Sequence, residues 1–166
     1  MKILIKKNEI EFRLKQLGEH ISNDFFGQQD VIVAPILKGG MMFACHLMPY
    51  FEFIFQVDYI HASRYGFEQH GSDLNITYLP KNIKNKTFIL IDDIYDEGIT
   101  LDSIEKLLLY HGAKKVVKVV LLDKNKTEKK PNYIGFSIDD HFVYGFGMDK
   151  EGFCRNLPYI AYDEEK

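Results

Sequence analysis

The chain has 166 residues, is 46% apolar, and carries 13 Phe and 10 Tyr, so it can bury roughly 70% of its unfolded surface in one globular domain. A formal charge of -3 provides no general basic field, which argues against nucleic acid or an anionic membrane as partner. No apolar run approaches the ~20 residues of a membrane span, and the opening M-K-I-L-I-K-K-N-E is too short in apolar residues for a signal segment, so a cytoplasmic location is expected. Cys45 and Cys154 are far apart and lack a C-x-x-C pattern; both are expected to be reduced, with no zinc site.

In chain order, Asn8 with Glu11 resembles a capping box, and Ile10, Leu14, Leu17 and Ile21 then recur at helical spacing. Residues 30–37 (D-V-I-V-A-P-I-L) form a continuous apolar run, expected as a buried strand that ends at Lys38-Gly39-Gly40. Residues 41–48 suit a helix stopped by Pro49, and residues 51–60 read as another strand. Residues 64–73 (R-Y-G-F-E-Q-H-G-S-D) contain two glycines and no periodicity, which predicts a long mobile loop. Residues 87–91 make a buried strand and residues 100–110 a helix with Gly112 beyond it. Residues 115–122 form a valine-rich strand, residues 124–130 a polar connector, and residues 133–136, 142–146 and 159–162 shorter strands. This alternation predicts an α/β fold: a Rossmann-like, mainly parallel sheet flanked by helices, with ligands at the carboxyl ends of its strands.

Three unusual segments fall at those ends: Lys38-Gly39-Gly40, residues 92–100, and Asp123-Lys124. In F-I-L-I-D-D-I-Y-D-E-G-I-T an apolar strand delivers Asp92, Asp93 and Asp96 to a turn, Glu97-Gly98-Ile99, before Thr100 opens a helix. Main-chain amides at a helix N-terminus favour an anion, Gly98 permits close approach, and Thr100 adds a hydroxyl. Carboxylates beside a phosphate need sugar hydroxyls or a metal ion as partners, and a phosphorylated ribose carrying Mg²⁺ supplies both. Taken singly, each feature has a commonplace explanation. An acidic pair at a strand end is often a solvated loop or a helix cap, and L-K-G-G an ordinary turn.

The spacing of the apolar run, D-D, D, G and T together resembles the phosphoribosyl-diphosphate (PRPP) binding motif of the type I phosphoribosyltransferases. V-D-Y-I-H-A-S-R-Y-G, L-L-D-K, Y-I-G-F-S-I, F-V-Y-G-F-G-M-D and R-N-L-P-Y-I are in turn similar to signatures of the hypoxanthine-guanine phosphoribosyltransferases, a likeness covering residues 31–160. The resemblance implies a small hood assembled from the N-terminal segment and roughly residues 124–166. It also implies transfer of the phosphoribosyl group from PRPP to a 6-oxopurine, with Mg²⁺, in a homodimer or homotetramer. Its residue-level implications are specific. Asp92 and Asp93 would hold the ribose; Asp96 would be the general base; Glu97, Gly98, Ile99 and Thr100 would bind the 5′-phosphate through their amides. Lys38 and Gly39, after a cis peptide bond, would face pyrophosphate together with Arg155. Lys124, Phe142, Val143 and Met148 would form the purine site, Asp149 with Asp92 would bind the metal, and Arg64 and Tyr65 would sit on the mobile loop.

Three positions depart from the family pattern. Glu97 stands where many relatives have Thr or Ser, Ile99 replaces a common lysine, and Arg64 replaces the serine of a Ser-Tyr pair, with Arg64 expected to restore some attraction for phosphate. Two further readings remain at this level: a phosphoribosyltransferase preferring xanthine or a pyrimidine, and a non-catalytic PRPP-sensing regulator.

Overall fold

A buried strand with no polar residue in its middle must have both faces covered, and two segments of this chain meet that description. The computed structural model describes residues 1–65 and 73–164. Among them β1 is Lys2–Ile5, α1 Lys7–Phe25, β2 Val31–Leu37, α2 Gly40–Leu47, β3 Gln56–Val57, β4 Ile60–Tyr65 and β5 Asp73–Tyr78. There follow β6 Thr87–Tyr95, α3 Ile99–Tyr110, β7 Lys115–Asp123, β8 Tyr133–Ser137, β9 Val143–Tyr144 and β10 Ile160–Tyr162.

The main sheet runs β5-β4-β2-β6-β7-β8, with β3 also pairing with β2. All pairings are parallel except β4 with β5. β2 and β6 are central and apolar on both faces. Phe88 and Leu90 join the core beneath α3, whereas Ile89 and Ile91 join the core beneath α1 and α2. That alternation is the period-two geometry of a strand, and it continues into the residues that matter for function. A second, antiparallel sheet orders β1-β10-β9, so the two ends of the described chain meet.

α1 buries Ile10, Leu14, Leu17, Ile21 and Phe25, as its periodicity predicts. Each such burial is worth ~1.5–3 kcal/mol, far more than any cap, so packing decides where this helix lies. Its start differs from expectation. The helix begins at Lys7 with Lys6, not Asn8, as its N-cap, and Glu9 accepts the Lys6 backbone N–H at 2.9 Å. Arg13 then donates to the carbonyl oxygens of Gly135 and Ile134 at 2.7 and 2.9 Å, fastening α1 to the edge strand β8.

Three other expectations change. Residues 51–60 are not one strand: Gln56–Val57 pairs with β2, Ile60 already belongs to β4, and Phe51, Phe53 and Phe55 pack on one another, with Phe53 stacked on Phe25, at centroid distances of 5.1–5.6 Å. Alternating aromatics signal a half-buried strand equally well, but here the apolar face belongs to a loop that seals the end of α1. Arg64 and Tyr65 are the last residues of β4 and Asp73 the first of β5, so a strand pair replaces both ends of the expected loop. The rest of that loop, residues 66–72, lies outside the described residues. The strand at residues 142–146 contracts to Val143–Tyr144 because Gly145, Phe146 and Gly147 take positive φ, which a strand cannot hold.

Among the described residues, no helix is long and apolar enough to cross a membrane.

Candidate active site

β2, β6 and β7 are parallel, so their carboxyl ends lie at one rim, and the segments leaving them build the site. β6 extends past the expected boundary to Tyr95, making Asp92 and Asp93 strand residues. Strand alternation sends Asp92 to the α3 side with Phe88 and Leu90, and Asp93 to the α2 side with Ile89 and Ile91. There Asp93 meets the loop after β2: a β-carbon on Gly39 would stand 2.0 Å from Asp93 Oδ2. Only glycine leaves room for that carboxylate. Burial pushes the Asp93 carboxyl above the usual carboxylate range, opposed by hydrogen bonding and by the charge of Arg155.

The peptide bond between Leu37 and Lys38 is cis, as the resemblance implies. On the other side, Gly98 takes φ +75° as the residue before α3, and the Asp102 N–H donates to its carbonyl at 2.9 Å. Between the two turns lies a cavity of about 470 Å³. Lys38 and Gly39 wall it on one side, Asp96, Gly98 and Thr100 on the other, with Asp92 and Asp93 at its base and Asp149 and Arg155 at its margin. Glu97 and Ile99 do not line it, and Glu97 is exposed. The Glu97 carboxylate thus adds no charge to the cavity wall.

A smaller hollow of about 210 Å³ adjoins this cavity and shares Asp93, Ile94, Asp96 and Asp149 with it. Its remaining wall contains Lys124, Phe142, Val143 and Met148, all four residues expected there. Phe142 is 67% exposed, so its ring is not part of the core. Val143 and Met148 are buried and fix the back of the hollow.

Asp96 lies at the junction and is heavily paired. Its Oδ2 accepts from Lys124 Nζ at 3.2 Å. Lys126 Nζ is 2.8 Å from Oδ1, within ion-pair range but off the axis of a hydrogen bond. Both ammonium groups also reach Asp140 Oδ1, at 3.1 and 2.8 Å. Burial by itself would push the Asp96 carboxyl up; the close ammonium groups of Lys126 and Lys124 outweigh it and hold the group below the usual range. Asp96 is therefore ionised at neutral pH.

Lys126 and Asp140 escaped the sequence reading, which took residues 124–130 as a plain connector. Their signal is a lysine alternating with Lys124 and a carboxylate before Phe142, a pattern too common to single out. The same segment holds Lys130, which pairs at 2.9 Å with Asp123, itself wholly buried at the end of β7. Asn125 donates its backbone N–H to the same carboxylate at 2.9 Å, so Asp123 shapes the turn that presents Lys124.

At the margin, Asp149 accepts from Arg155 at 2.5 Å and from the Gly152 N–H at 2.8 Å. Arg155 also donates to the Gly147 carbonyl at 2.6 Å. The arginine expected to face pyrophosphate is thus partly engaged within the protein while still lining the cavity.

A sequence model of the phosphoribosyl transferase domain matches residues 3–151. A hypoxanthine-guanine phosphoribosyltransferase of Aquifex aeolicus is 30% identical over 170 residues, covering 99% of this chain and 96% of the relative. The chain belongs to the hypoxanthine-guanine phosphoribosyltransferases. Another member of that family, from Lactococcus lactis, is 34% identical over 96% of this chain and 89% of its own. The crystal structure of a hypoxanthine phosphoribosyltransferase from Staphylococcus aureus superposes with a TM-score of 0.91 at 32% identity, over 99% of this chain and 91% of that one. That of Trypanosoma cruzi, in complex with the product IMP, gives 0.88 at 25% identity, over 98% and 93%. A hypoxanthine-guanine phosphoribosyltransferase is a purine-salvage transferase, and the mainly parallel sheet with a small antiparallel sheet is the type I fold of that family.

Proposed function

We propose that this enzyme transfers the 5-phosphoribosyl group of PRPP to hypoxanthine, guanine or both, releasing pyrophosphate, with Asp96 as the residue that takes the base's proton. The observation that supports this best is that Asp96 borders both the 470 Å³ cavity and the 210 Å³ hollow. A sugar phosphate in the first and a purine in the second would meet at that carboxylate.

Displacement at the anomeric carbon develops positive charge on the ribose, so the reaction needs positioning and fixed charges rather than a covalent intermediate. Asp92 and Asp93 hold the ribose hydroxyls from opposite faces of β6. The amides of residues 97–100 receive the 5′-phosphate, and the main chain of Lys38 and Gly39 receives the departing pyrophosphate together with Arg155. In the hollow, Phe142 stacks on the purine against Val143 and Met148. Lys124 offers only donors, so it matches a 6-oxo group and finds no acceptor in a 6-amino group. Asp96 accepts the N–H proton that the purine sheds.

Mg²⁺ commonly binds one or two protein carboxylates and takes its other ligands from substrate phosphates and water. Asp149 and Asp92, two carboxylates lining one cavity, fit that donor set and would hold the ion. It would neutralise charge on the pyrophosphate. The same reading includes a cytoplasmic location, a dimeric or tetrameric assembly, and a hood formed by the β1-β10-β9 sheet and the segments around it, β8 being part of the main sheet.

Steady-state assays of the purified protein with hypoxanthine, guanine, xanthine and adenine, with PRPP and with or without Mg²⁺, test the proposal. Formation of IMP or GMP that depends on Mg²⁺ is the expected result. No product from either 6-oxopurine, or a preference for adenine, would overturn it.

A further inference from the structure

The phosphate turn has no cationic side chain of its own, since Glu97 and Ile99 flank Gly98. What holds its main chain lies beneath it. Tyr95 is 1% exposed, and its hydroxyl stands 2.3 Å from the place a β-carbon on Gly98 would occupy. The turn rests directly on that hydroxyl. The Tyr95 O–H donates to Asp102 Oδ1 at 3.2 Å, while the Asp102 N–H donates to the Gly98 carbonyl, closing a ring of contacts among the three residues.

Asp102 is in the first turn of α3, where its negative charge would repel an anion bound at the same helix end. Lys118 cancels it. This lysine projects from β7 on the face that packs on α3; its side chain is 3% exposed, and Nζ lies 2.6 Å from Asp102 Oδ1 and 3.0 Å from Glu105 Oε2. Lys129 reinforces both pairs at 3.2 and 2.9 Å. The Lys118 ammonium is also 5.8 Å from the centre of the Tyr95 ring. Lysines are rarely buried, and such burial is tolerated only with this kind of pairing.

We propose that Tyr95 and Lys118 are positioning residues for the phosphate turn: the Tyr95 hydroxyl sets the height of the turn's amides, and Lys118 removes the Asp102 charge beneath the bound anion. The inference rests on the reading of residues 97–100 as the 5′-phosphate site and extends it to residues behind the turn. It also accounts for the tolerance of Glu97 and Ile99, because a rigid and locally neutral backing lets main-chain amides bind phosphate unaided.

The test uses full-length enzyme, with PRPP and hypoxanthine in kinetics and inorganic phosphate as a calorimetric probe. Tyr95→Phe keeps the ring and loses only the hydroxyl; the expected result is a rise of about fivefold in the KM for PRPP and in the phosphate dissociation constant, with the KM for hypoxanthine moving less than twofold. Lys118→Met should weaken both phosphate measures at least about tenfold, and adding Asp102→Asn should recover much of the loss, because the opposing charge is then gone. A generally loosened fold would show no such recovery. If Lys118→Met fails to fold, Tyr95→Phe decides. Unchanged constants in Tyr95→Phe, or equal rises for both substrates, overturn the inference alone. Wild-type enzyme inactive with every 6-oxopurine overturns the reading of the site, and this inference with it.

Discussion

Gly39 and Asp93 share one small volume: a β-carbon on residue 39 would lie 2.0 Å from the Asp93 carboxylate oxygen. The loop after β2 and the tip of β6 are therefore one unit, and the wall of the cavity is no further from its base than a single glycine allows. Gly39→Ala must displace either the carboxylate or the loop. Overpacking of this kind costs ~1–3 kcal/mol, and at this position the displaced groups are those assigned to ribose and pyrophosphate. Turnover per PRPP should fall at least about tenfold, with the thermal midpoint lowered by only a few degrees. Steady-state kinetics and a melting curve separate the two effects, and full activity in this variant would contradict the packing.

Asp96→Asn keeps the shape of the junction and removes its capacity to accept a proton. Turnover should drop about 10²-fold or more, while PRPP binding, followed by equilibrium dialysis, stays within a few-fold of wild type. Unchanged turnover would remove Asp96 from the chemistry.

Lys124→Met takes away the donor assigned to the 6-oxo group and one of the two ammonium groups beside Asp96. The KM for hypoxanthine should rise at least about tenfold and the KM for PRPP little. A rise confined to PRPP would place Lys124 elsewhere.

Phe142→Ala should leave stability almost unchanged, because the ring is 67% exposed. Stacking on a base is worth ~1–3 kcal/mol, so the KM for the purine should increase about fivefold or more. A large loss of thermal stability with unaltered kinetics would return Phe142 to the core.

Acid stability tests the buried network behind the turn. Burial would push the Asp102 and Glu105 carboxyls up, but Lys118 and Lys129 outweigh it and hold both below their ordinary values. A carboxyl lowered in the folded state contributes stability that is complete above its unfolded pKa and disappears as pH falls through the folded value. The melting temperature should decline steeply below about pH 4, and the decline should be shallower in Lys118→Met. Scanning calorimetry from pH 7 to pH 3 makes the comparison.

Much of the fold was legible from the sequence because burial imposes periodicity. α1 shows in Ile10, Leu14, Leu17 and Ile21, the central strands in two uninterrupted apolar runs, and the alternation of strand and helix requires a parallel sheet. The segments at the strand ends were legible too, through the combined spacing of their acidic and glycine residues rather than through any one of them. Boundaries were less so: the alternating Phe51, Phe53 and Phe55 satisfy a strand pattern and a sealing loop equally, and only the position of Phe25 chooses between them.

By itself the sequence determined a mainly parallel α/β fold and the acidic, glycine-containing turn before α3, because these depend on spacing within short segments. Tertiary structure alone decided which distant groups meet. Lys126 and Asp140 join Asp96, Lys118 reaches Asp102, and Asp93 fills the space that Gly39 leaves open. Charges and contacts act over a few ångströms in space and leave no period along the chain, so pairings between strands and helices appear only once the sheet has brought them together.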